Sequence, residues 1–223
     1  MNYSKICQSL NHVELFLKPI LQQNLIRRDN ITNTITWNNR KPGIFNNVYY
    51  PIEYQSCIDD FQYSLLLNDG SFFQFYYEFN NSSDNLKKAK LAFYPSPIDS
   101  KSSLDDIEAA AENAIEYSEE LYNHLENWIQ LLEIKKYYPA NTSQIRFDYD
   151  SEVKSHEKSH LQFSGVNQLR IPAGFFPLPY AFVHMVLDLI NNCSEMKHEH
   201  LNFSKHNYLN TGDCDKIITL KII

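Results

Sequence analysis

A short span of the sequence, residues 144–182, concentrates side chains whose types could carry out chemistry. Five of its residues are candidates for a site: Arg146, Asp148, His156, His160 and Arg170. Histidine has an ordinary pKa of about 6.5 and can therefore act as general acid or general base at neutral pH. Arginine can hold and neutralise a phosphate through bidentate hydrogen bonds. The span therefore indicates a site for phosphodiester chemistry, in which Asp148 orients a histidine or an arginine.

Two predicted strands position most of these side chains. Residues 145–149 and 159–163 have the alternating pattern of β-strands, whose side chains point to opposite faces in turn. If the strands pair as an antiparallel hairpin, four polar side chains share one face of the sheet: Arg146, Asp148, His160 and Gln162. His156 then lies in the loop above them, and Arg170 arrives from the following segment.

The same residues also allow a purely structural interpretation. Arg146 and Asp148 would form an ion-pair network on one sheet face, with His160 as a polar filler. The two interpretations differ in an observable way. Residues of a site should converge in an open cleft, whereas residues of a structural network should be buried and should satisfy one another. Both interpretations stay open at the level of the sequence.

Several motifs resemble those of a known family. The pattern R-F-D-Y-D, followed by H-x-x-x-H-L-x-F-x-G, R-I-P and a proline-led helix, resembles the prokaryotic domain-of-unknown-function family 2290. LLLNDGSFFQFYYEF and KLAFYPSP resemble its central hairpin and the strand that follows, so the likeness covers roughly residues 10–190. Carried over by position, it marks six residues: Arg146, Asp148, His156, His160, Arg170 and Pro172. Gln162 stands where family members often have a second histidine, which weakens a site that needs that histidine as base or metal ligand.

The resemblance implies a bacterial or archaeal protein of the cytosol. Genes of such proteins often lie beside mobile-element or phage-defence genes. This setting favours a role in antiviral defence, as a toxin-like effector with a nuclease-like site and an RNA substrate. The alternative is a non-catalytic interaction subunit of a defence complex. The family brings no established activity, so the sequence leaves open whether the chain is an enzyme.

The acidity of the protein is concentrated in one predicted helix. The formal net charge is −7, which by itself argues against a nucleic-acid partner. Nine of the 27 acidic residues lie within 103–134, a stretch without lysine or arginine, and the rest of the chain is close to neutral. Three interpretations of this acidic face stay open: a solvated surface, a docking surface for a basic protein partner, and a mimic of nucleic acid.

Composition and motifs exclude several classes of protein. The chain has five glycines and contains neither G-x-G-x-x-G nor G-x-x-x-x-G-K, so no glycine-rich phosphate cradle is predicted. No apolar run approaches the roughly 20 residues of a membrane span. The first residues lack a basic segment followed by an apolar core, so no signal peptide is expected. We therefore expect a cytoplasmic protein with no membrane partner and no cofactor.

A second group of polar residues near the C-terminus contains enough ligand atoms for zinc: Cys193, His198, His200, His206 and Cys214. Their spacings match no standard zinc pattern. Exposed histidines are the simpler interpretation, and no metal is predicted, although the sequence leaves open whether these residues bind one.

Hydrophobic periodicity predicts an α+β fold in a single domain over residues 1–223. A largely antiparallel sheet is expected to pack with a long acidic helix and two shorter helices. The predicted segments are an N-terminal helix over about 3–26, a central meander over about 31–94, the long helix over about 103–134, and a hairpin with a final helix over about 144–192. A proline inside the first helix is expected to kink it or to divide it.

Finer predictions concern the meander and the C-terminus. Residues 68–70, Asn-Asp-Gly, predict the tight turn of a hairpin. The aromatic run 72–79 is expected to be core, and residues 48–54 to be a short edge strand. The basic run 87–90 indicates a solvated strand edge. A last strand is predicted over 216–223.

Overall fold

The structure is a computed structural model, and it describes residues 1–41, 50–80, 84–97, 119, 122–123, 141–163, 169–190 and 208–211. The chain divides into two compact units, Met1–Pro95 with Ser143–Ile223, and Ser96–Thr142. The prediction of a single domain stays a prediction. All elements named below belong to the first unit.

The first unit contains three α-helices and eleven strands within its described residues. The helices are α1 (Tyr3–Leu17), α2 (Tyr50–Asp59) and α3 (Pro179–Val186), with short 3-10 helices at Lys18–Ile20 and Leu187–Leu189. The strands are β1 (Leu21–Asn24), β2 (Ile26–Asp29), β3 (Thr34–Trp37), β4 (Leu65–Leu67), β5 (Phe72–Phe79), β6 (Leu86–Tyr94), β7 (Ile145–Asp150), β8 (Ser159–Phe163), β9 (Leu169–Pro172), β10 (Phe175–Pro177) and β11 (Tyr208–Asn210).

Nine of the strands in the described part of the chain form one antiparallel sheet. Its order is β1-β4-β5-β6-β7-β8-β9, with β3 beside β5 and β2 beside β3. Strands β10 and β11 form a separate antiparallel pair. This arrangement confirms the predicted α+β class with a largely antiparallel sheet.

The long acidic helix predicted over 103–134 lies almost wholly outside the described residues. Only Glu119, Tyr122 and Asn123 of that range are described, and all three are helical. The second unit also contains Asn141, whose side chain donates a hydrogen bond of 2.7 Å to the carbonyl oxygen of Ser96. The predicted strand over 216–223 lies outside the described residues as well.

The N-terminal helix is shorter than predicted. Helix α1 begins after Asn2, whose side chain accepts a hydrogen bond from the Lys5 amide at 3.1 Å, and it ends at Leu17. Pro19 then divides the predicted helix, because it lacks an N–H and clashes with the preceding turn. Strand β1 follows at once and pairs with β4. The predicted helix over residues 21–26 is therefore wrong.

The segment around residue 50 is helical rather than extended. The predicted strand at 48–54 is wrong over residues 50–54, which belong to α2, while residues 48 and 49 lie outside the described residues. The buried residues of α2 are Tyr50, Glu53 and Cys57, spaced by three and four residues as on one helical face. The last helix is also shorter than predicted, since α3 ends at Val186.

The central hairpin has the predicted form. Strands β4 and β5 flank the turn at 68–70, in which Gly70 has a φ of 84°. This left-handed conformation is readily open to glycine and costly for residues with a Cβ. The Gly70 amide donates to the Leu67 carbonyl at 3.0 Å, which closes the turn.

The two faces of the sheet are covered differently. One face packs against α1 and α3 around a large core that includes Phe75, Leu91 and Phe147. The other face carries a smaller apolar cluster at one end, where Phe72 and Tyr94 stack under α2. The rest of this second face is polar, and it holds the candidate site. None of the helices in the described part of the chain is long and apolar enough to cross a membrane.

Candidate functional site

Strands β7 and β8 pair as the antiparallel hairpin that the sequence predicts. Asp148 stands directly opposite His160, and Arg146 stands directly opposite Gln162. Residues opposite one another in a sheet point to the same face, so these four polar side chains share one face, as predicted. Strand β9 then brings Arg170 beside Gln162.

The polar face continues across β6 and β5. Lys90 pairs with Asp148 on one side and with Tyr76 on the other. His160 pairs with Pro172 of β9. One row of residues therefore crosses the sheet from β5 to β9: Tyr76, Lys90, Asp148, His160 and Pro172. Four strand spacings separate its ends, roughly 19 Å between backbones.

A cavity of about 430 Å³ lies over this row. Four of the five predicted site residues line it: Asp148, His156, His160 and Arg170. A second cavity, of about 390 Å³, reaches Pro172 and shares four residues with the first: His156, Glu157, His160 and Arg170. Each volume is large enough for a small ligand group. Three of the predicted residues therefore stand where two cavities meet.

Arg146 lines neither cavity and instead holds Asp148 in place. Its Nη2 lies 2.9 Å from Asp148 Oδ2, and its Nε donates a hydrogen bond of 3.1 Å to the same oxygen. Nη2 also donates to Oε1 of Gln162. The three side chains are mostly withdrawn from water and are linked through Arg146, which binds Oδ2 of Asp148, whereas Oδ1 of Asp148 is buried and has no hydrogen-bond partner in the described part of the chain. For Arg146 and Gln162 the structural interpretation fits, and Asp148 keeps one buried oxygen without a described partner.

His160 is buried at the wall of both cavities, with 8% of its surface exposed. Burial lowers its pKa; the charge of Asp148 opposes this shift, while Arg170, His156 and Arg146 add to it. Its Nε2 lies 3.7 Å from Asp148 Oδ2, too far for a hydrogen bond. Its Nδ1 has no hydrogen-bond partner in the described part of the chain. The lowered pKa favours the neutral imidazole, and the described residues leave its Nδ1 free to bond a ligand.

His156 stands beside His160 but is exposed. The two ring centroids are 5.2 Å apart. The hydroxyl of Ser155 lies 3.3 Å from Nδ1 of His156. The pair thus combines a buried neutral imidazole with one that is open to solvent, which are different environments for the same functional group.

Four cations line the larger cavity without a carboxylate partner among the described residues: Arg40, Lys90, Lys158 and Arg170. Among the residues that the structure describes, no carboxylate oxygen lies within 4.0 Å of Arg40, Lys90 or Arg170. By contrast, two carboxylates that line the same cavity, those of Glu78 and Asp150, are paired with lysines. Glu78 pairs with Lys87 at 3.0 Å and accepts a hydrogen bond from the Tyr76 hydroxyl at 2.9 Å.

Two of these cations are held by the cavity wall. The Arg40 guanidinium lies 3.7 Å over the ring of Tyr76, in a cation–π contact. Burial lowers the pKa of Arg40, and its Nε has no hydrogen-bond partner in the described part of the chain. Lys90 keeps surface open to the cavity, but the surrounding protein displaces bulk water. This desolvation lowers the pKa of its ammonium, against the attraction of Asp148.

Arg40, Tyr76 and Lys90 are functional candidates that the sequence analysis missed. Two of them could have been predicted from the sequence, because alternation along β5 and β6 places Tyr76 and Lys90 on one face of the sheet. The basic run 87–90 does not lie at an edge, since β6 pairs with both β5 and β7. Arg40 lies outside any strand, and no local pattern marks it.

No group of three or more histidine, cysteine, aspartate or glutamate side chains suited to a metal ion occurs among the described residues. The C-terminal cysteines and histidines considered above lie outside those residues, so their role stays open.

No curated protein and no solved structure matches the chain. One family model matches residues 20–221, which includes every described part of the polar face. The chain therefore belongs to the family described as "Uncharacterized conserved protein (DUF2290)".

Proposed function

We propose that this protein binds single-stranded RNA on the polar face of its sheet and cleaves a phosphodiester bond beside His156 and His160. The observation that carries the proposal is the junction of the two cavities. There Arg170, a cation without a carboxylate partner in the described chain, stands with two imidazoles. A bound phosphate would supply the missing negative charge.

Arg170 serves as the phosphate ligand in this proposal. Its guanidinium presents several N–H donors in a fixed plane, which suits two oxygens of one phosphate. The charge of the cation also stabilises the extra negative charge that develops on those oxygens during reaction. The net charge of −7 does not oppose this role, because the cavity sets the local field through cations that lack carboxylate partners.

The histidines supply the proton transfers. His160 is neutral at pH 7 and acts as the base, removing the proton of the ribose 2′-hydroxyl. The 2′-oxygen then forms a bond to phosphorus, while the bond from phosphorus to the 5′-oxygen breaks. His156 donates a proton to the departing 5′-oxygen. The products are a 2′,3′-cyclic phosphate and a free 5′-hydroxyl, so atoms and charges balance.

RNA suits this site better than DNA because RNA carries its own nucleophile. The 2′-hydroxyl lies next to the phosphorus that it attacks, so the enzyme needs only to position the phosphate and move protons. Arg146 and Asp148 are positioning residues here. Asp148 raises the pKa of His160 toward its ordinary value, and Arg146 holds Asp148 beside the ring.

The direct test is cleavage of a pool of random single-stranded RNA, labelled at the 5′ end, in buffer that contains EDTA. We expect products that end in a 2′,3′-cyclic phosphate. We expect His160→Ala to lower the rate about 10²–10⁴-fold, the usual contribution of one general base. A DNA pool of the same design should stay intact because it lacks the 2′-hydroxyl.

The matched control is His12→Ala. His12 is an exposed histidine of α1 that lines neither cavity, so its loss should leave the rate unchanged. Intact RNA after incubation with the wild-type protein, or equal rates for the wild type and His160→Ala, would overturn the proposal.

The biological setting implied by the family resemblance is compatible with an RNA-cleaving site. Antiviral defence, a toxin-like role and a cytoplasmic location stay predictions. The alternative function, an interaction subunit that docks through residues 103–134, also stays a prediction, because nearly all of that range lies outside the described residues.

A further inference from the structure

We infer that the larger cavity contains a second phosphate subsite, formed by Arg40 and Lys90 against the ring of Tyr76, which binds the nucleotide next to the cleaved bond. This inference rests on the proposed function and specifies its substrate. The protein would act on oligonucleotides of at least two phosphates and would bind a single nucleotide weakly.

The shape of the site supports two occupied positions. The cavities of about 430 Å³ and 390 Å³ extend in opposite directions along the sheet and meet at four residues: His156, Glu157, His160 and Arg170. The smaller cavity reaches Pro172 on β9, and the larger one reaches Tyr76 on β5. A chain bound across both would therefore have its phosphodiester at the histidines and a neighbouring nucleotide on the β5 side.

Charge identifies what the β5 side would bind. Arg40 and Lys90 face the larger cavity, and no described carboxylate oxygen lies within 4.0 Å of either. The nearby carboxylates of Glu78 and Asp150 are already paired, with Lys87 at 3.0 Å and Lys88 at 3.2 Å. An anion is therefore the ligand that this wall lacks.

The distance along the sheet separates this subsite from the reacting phosphate. Lys90 stands two strands away from His160, roughly 10 Å between backbones. One phosphate cannot contact the Arg170 side and the Arg40 side at once, whereas consecutive phosphates of one strand can.

Arg40 is suited to a fixed position in the wall. Its guanidinium packs 3.7 Å over Tyr76 and 5.6 Å over Trp37, so the side chain is ordered before any ligand arrives. Its buried Nε lacks a hydrogen-bond partner in the described chain. An ordered arginine loses little side-chain freedom on binding, which favours affinity.

The test measures binding of 2′-O-methyl oligoribonucleotides of one to four nucleotides, each carrying a 3′-fluorophore. These probes lack the nucleophile, so the result does not depend on cleavage. In the wild-type protein, we expect the affinity to rise about tenfold once a second phosphate can be bound. We expect Arg40→Gln and Lys90→Gln each to abolish most of that gain while binding a mononucleotide like the wild type.

Salt dependence gives a second readout of the same contacts. For single strands, each phosphate contact contributes about 0.7 to the slope of log affinity against log salt concentration. Each of the two substitutions should therefore reduce that slope by about 0.7 with the longer probes. The matched control is Lys41→Gln, because Lys41 neighbours Arg40 but pairs with Asp60 at 2.8 Å and lines neither cavity.

The outcomes separate this inference from the proposed function. If both variants keep the wild-type gain with length and the wild-type salt slope, the second subsite is wrong, while cleavage at His160 is untouched. If the wild-type protein binds no probe of any length, both proposals are overturned. Thermal unfolding of each variant shows whether it is folded, and a folded result from either Arg40→Gln or Lys90→Gln is enough for the comparison.

Discussion

Asp148 lies between two basic side chains of the polar face, those of Arg146 and His160. It pairs with Arg146 at 2.9 Å and lies 3.7 Å from the Nε2 of His160. A carboxylate that is largely withdrawn from water is costly unless a partner compensates it, and Arg146 provides that compensation. The negative charge of Asp148 also acts on His160, where it raises the pKa against the lowering that burial causes.

A first prediction follows for Asp148→Asn. The substitution removes the attraction that raises the pKa of His160, so that pKa should fall further below its wild-type value, which is itself below 6.5. Titration of the His160 ring by NMR measures both values. The control is Asp150→Asn, because Asp150 is not among the charges that act on His160. An equal or higher His160 pKa in Asp148→Asn would contradict the assigned geometry.

The same pKa shift makes stability depend on pH. The folded state binds a proton at His160 less readily than the unfolded state does. The stability that comes from keeping His160 neutral is therefore fully present above about pH 6.5, and it is lost as the pH falls through the folded pKa. The rate of the proposed cleavage should fall over the same pH range, because His160 must be neutral to accept a proton.

Glu53 gives a second prediction at the residue scale. It is 8% exposed and accepts a hydrogen bond from the Tyr94 hydroxyl at 2.9 Å, and burial raises its pKa. Its contribution to stability is full below the unfolded pKa, near 4.5, and is lost as the pH rises through the folded pKa.

Glu53→Gln should remove this loss, because the amide keeps an acceptor for Tyr94 and carries no charge. We expect the variant to be more stable than the wild type at pH 8, with a smaller difference at pH 4, as measured by thermal unfolding. Glu152→Gln, at an exposed position, is the control. A variant less stable than the wild type at pH 8 would show that the carboxylate has a favourable partner when ionised.

At the scale of elements, the hairpin β4–β5 and the strand β6 position the β5 side of the cavity. Tyr76 and Lys90 face each other across β5 and β6 because the turn at 68–70 and the long pairing from Phe72 to Phe79 set the register. A slip by one residue would turn both side chains to the apolar core, so register and site depend on one another.

A third prediction concerns Gly70, whose φ of 84° lies in the left-handed region. Gly70→Ala should lower the free energy of unfolding by about 1–2 kcal/mol, because a Cβ is disfavoured there. The measurement is denaturant unfolding, with Asn68→Ala as the control in the same turn. If Gly70→Ala and Asn68→Ala have equal effects, the turn does not require positive φ at residue 70.

At the scale of the whole molecule, charge is unevenly distributed along the chain. Residues 103–134 hold nine acidic side chains, whereas the polar face presents Arg40, Lys90 and Arg170 without carboxylate partners in the described chain. A net charge of −7 disfavours nonspecific attraction of nucleic acid to the rest of the surface, and the proposed binding of RNA relies on this face. Binding should therefore depend on this face and should weaken steeply with salt.

A fourth prediction uses ligand binding to report on the whole molecule. A 2′-O-methyl trinucleotide that binds only the folded state should stabilise the protein by about 2.7 kcal/mol at a hundred times its Kd. Arg170→Gln should lose most of that stabilisation, while Lys41→Gln should keep it. Thermal unfolding with and without the probe measures both effects. Equal stabilisation of Arg170→Gln and the wild type would remove Arg170 from the binding site.

Local physical chemistry in the sequence was enough to predict several parts of this protein. Alternation along β7 and β8 placed Arg146, Asp148, His160 and Gln162 on one face, because side chains of a strand must point to opposite faces in turn. The Asn-Asp-Gly turn predicted the central hairpin for an equally local reason, the conformational freedom of Gly70.

Only the tertiary structure decided the rest, because the deciding contacts join residues far apart in the chain. Residues 21–24 are a strand because β4 offers them a pairing edge, and residues 50–59 are a helix because Tyr50 and Cys57 find an apolar cover on the sheet. Arg40 reaches the cavity from outside any strand, where no periodicity marks it. Tertiary packing also gave the two arginines different surroundings. Arg146 pairs with Asp148, whereas Arg170 faces the cavity without a described carboxylate partner. Hydrogen-bond partners and desolvation depend on the three-dimensional surroundings, and these distinguish two arginines that look alike in the sequence.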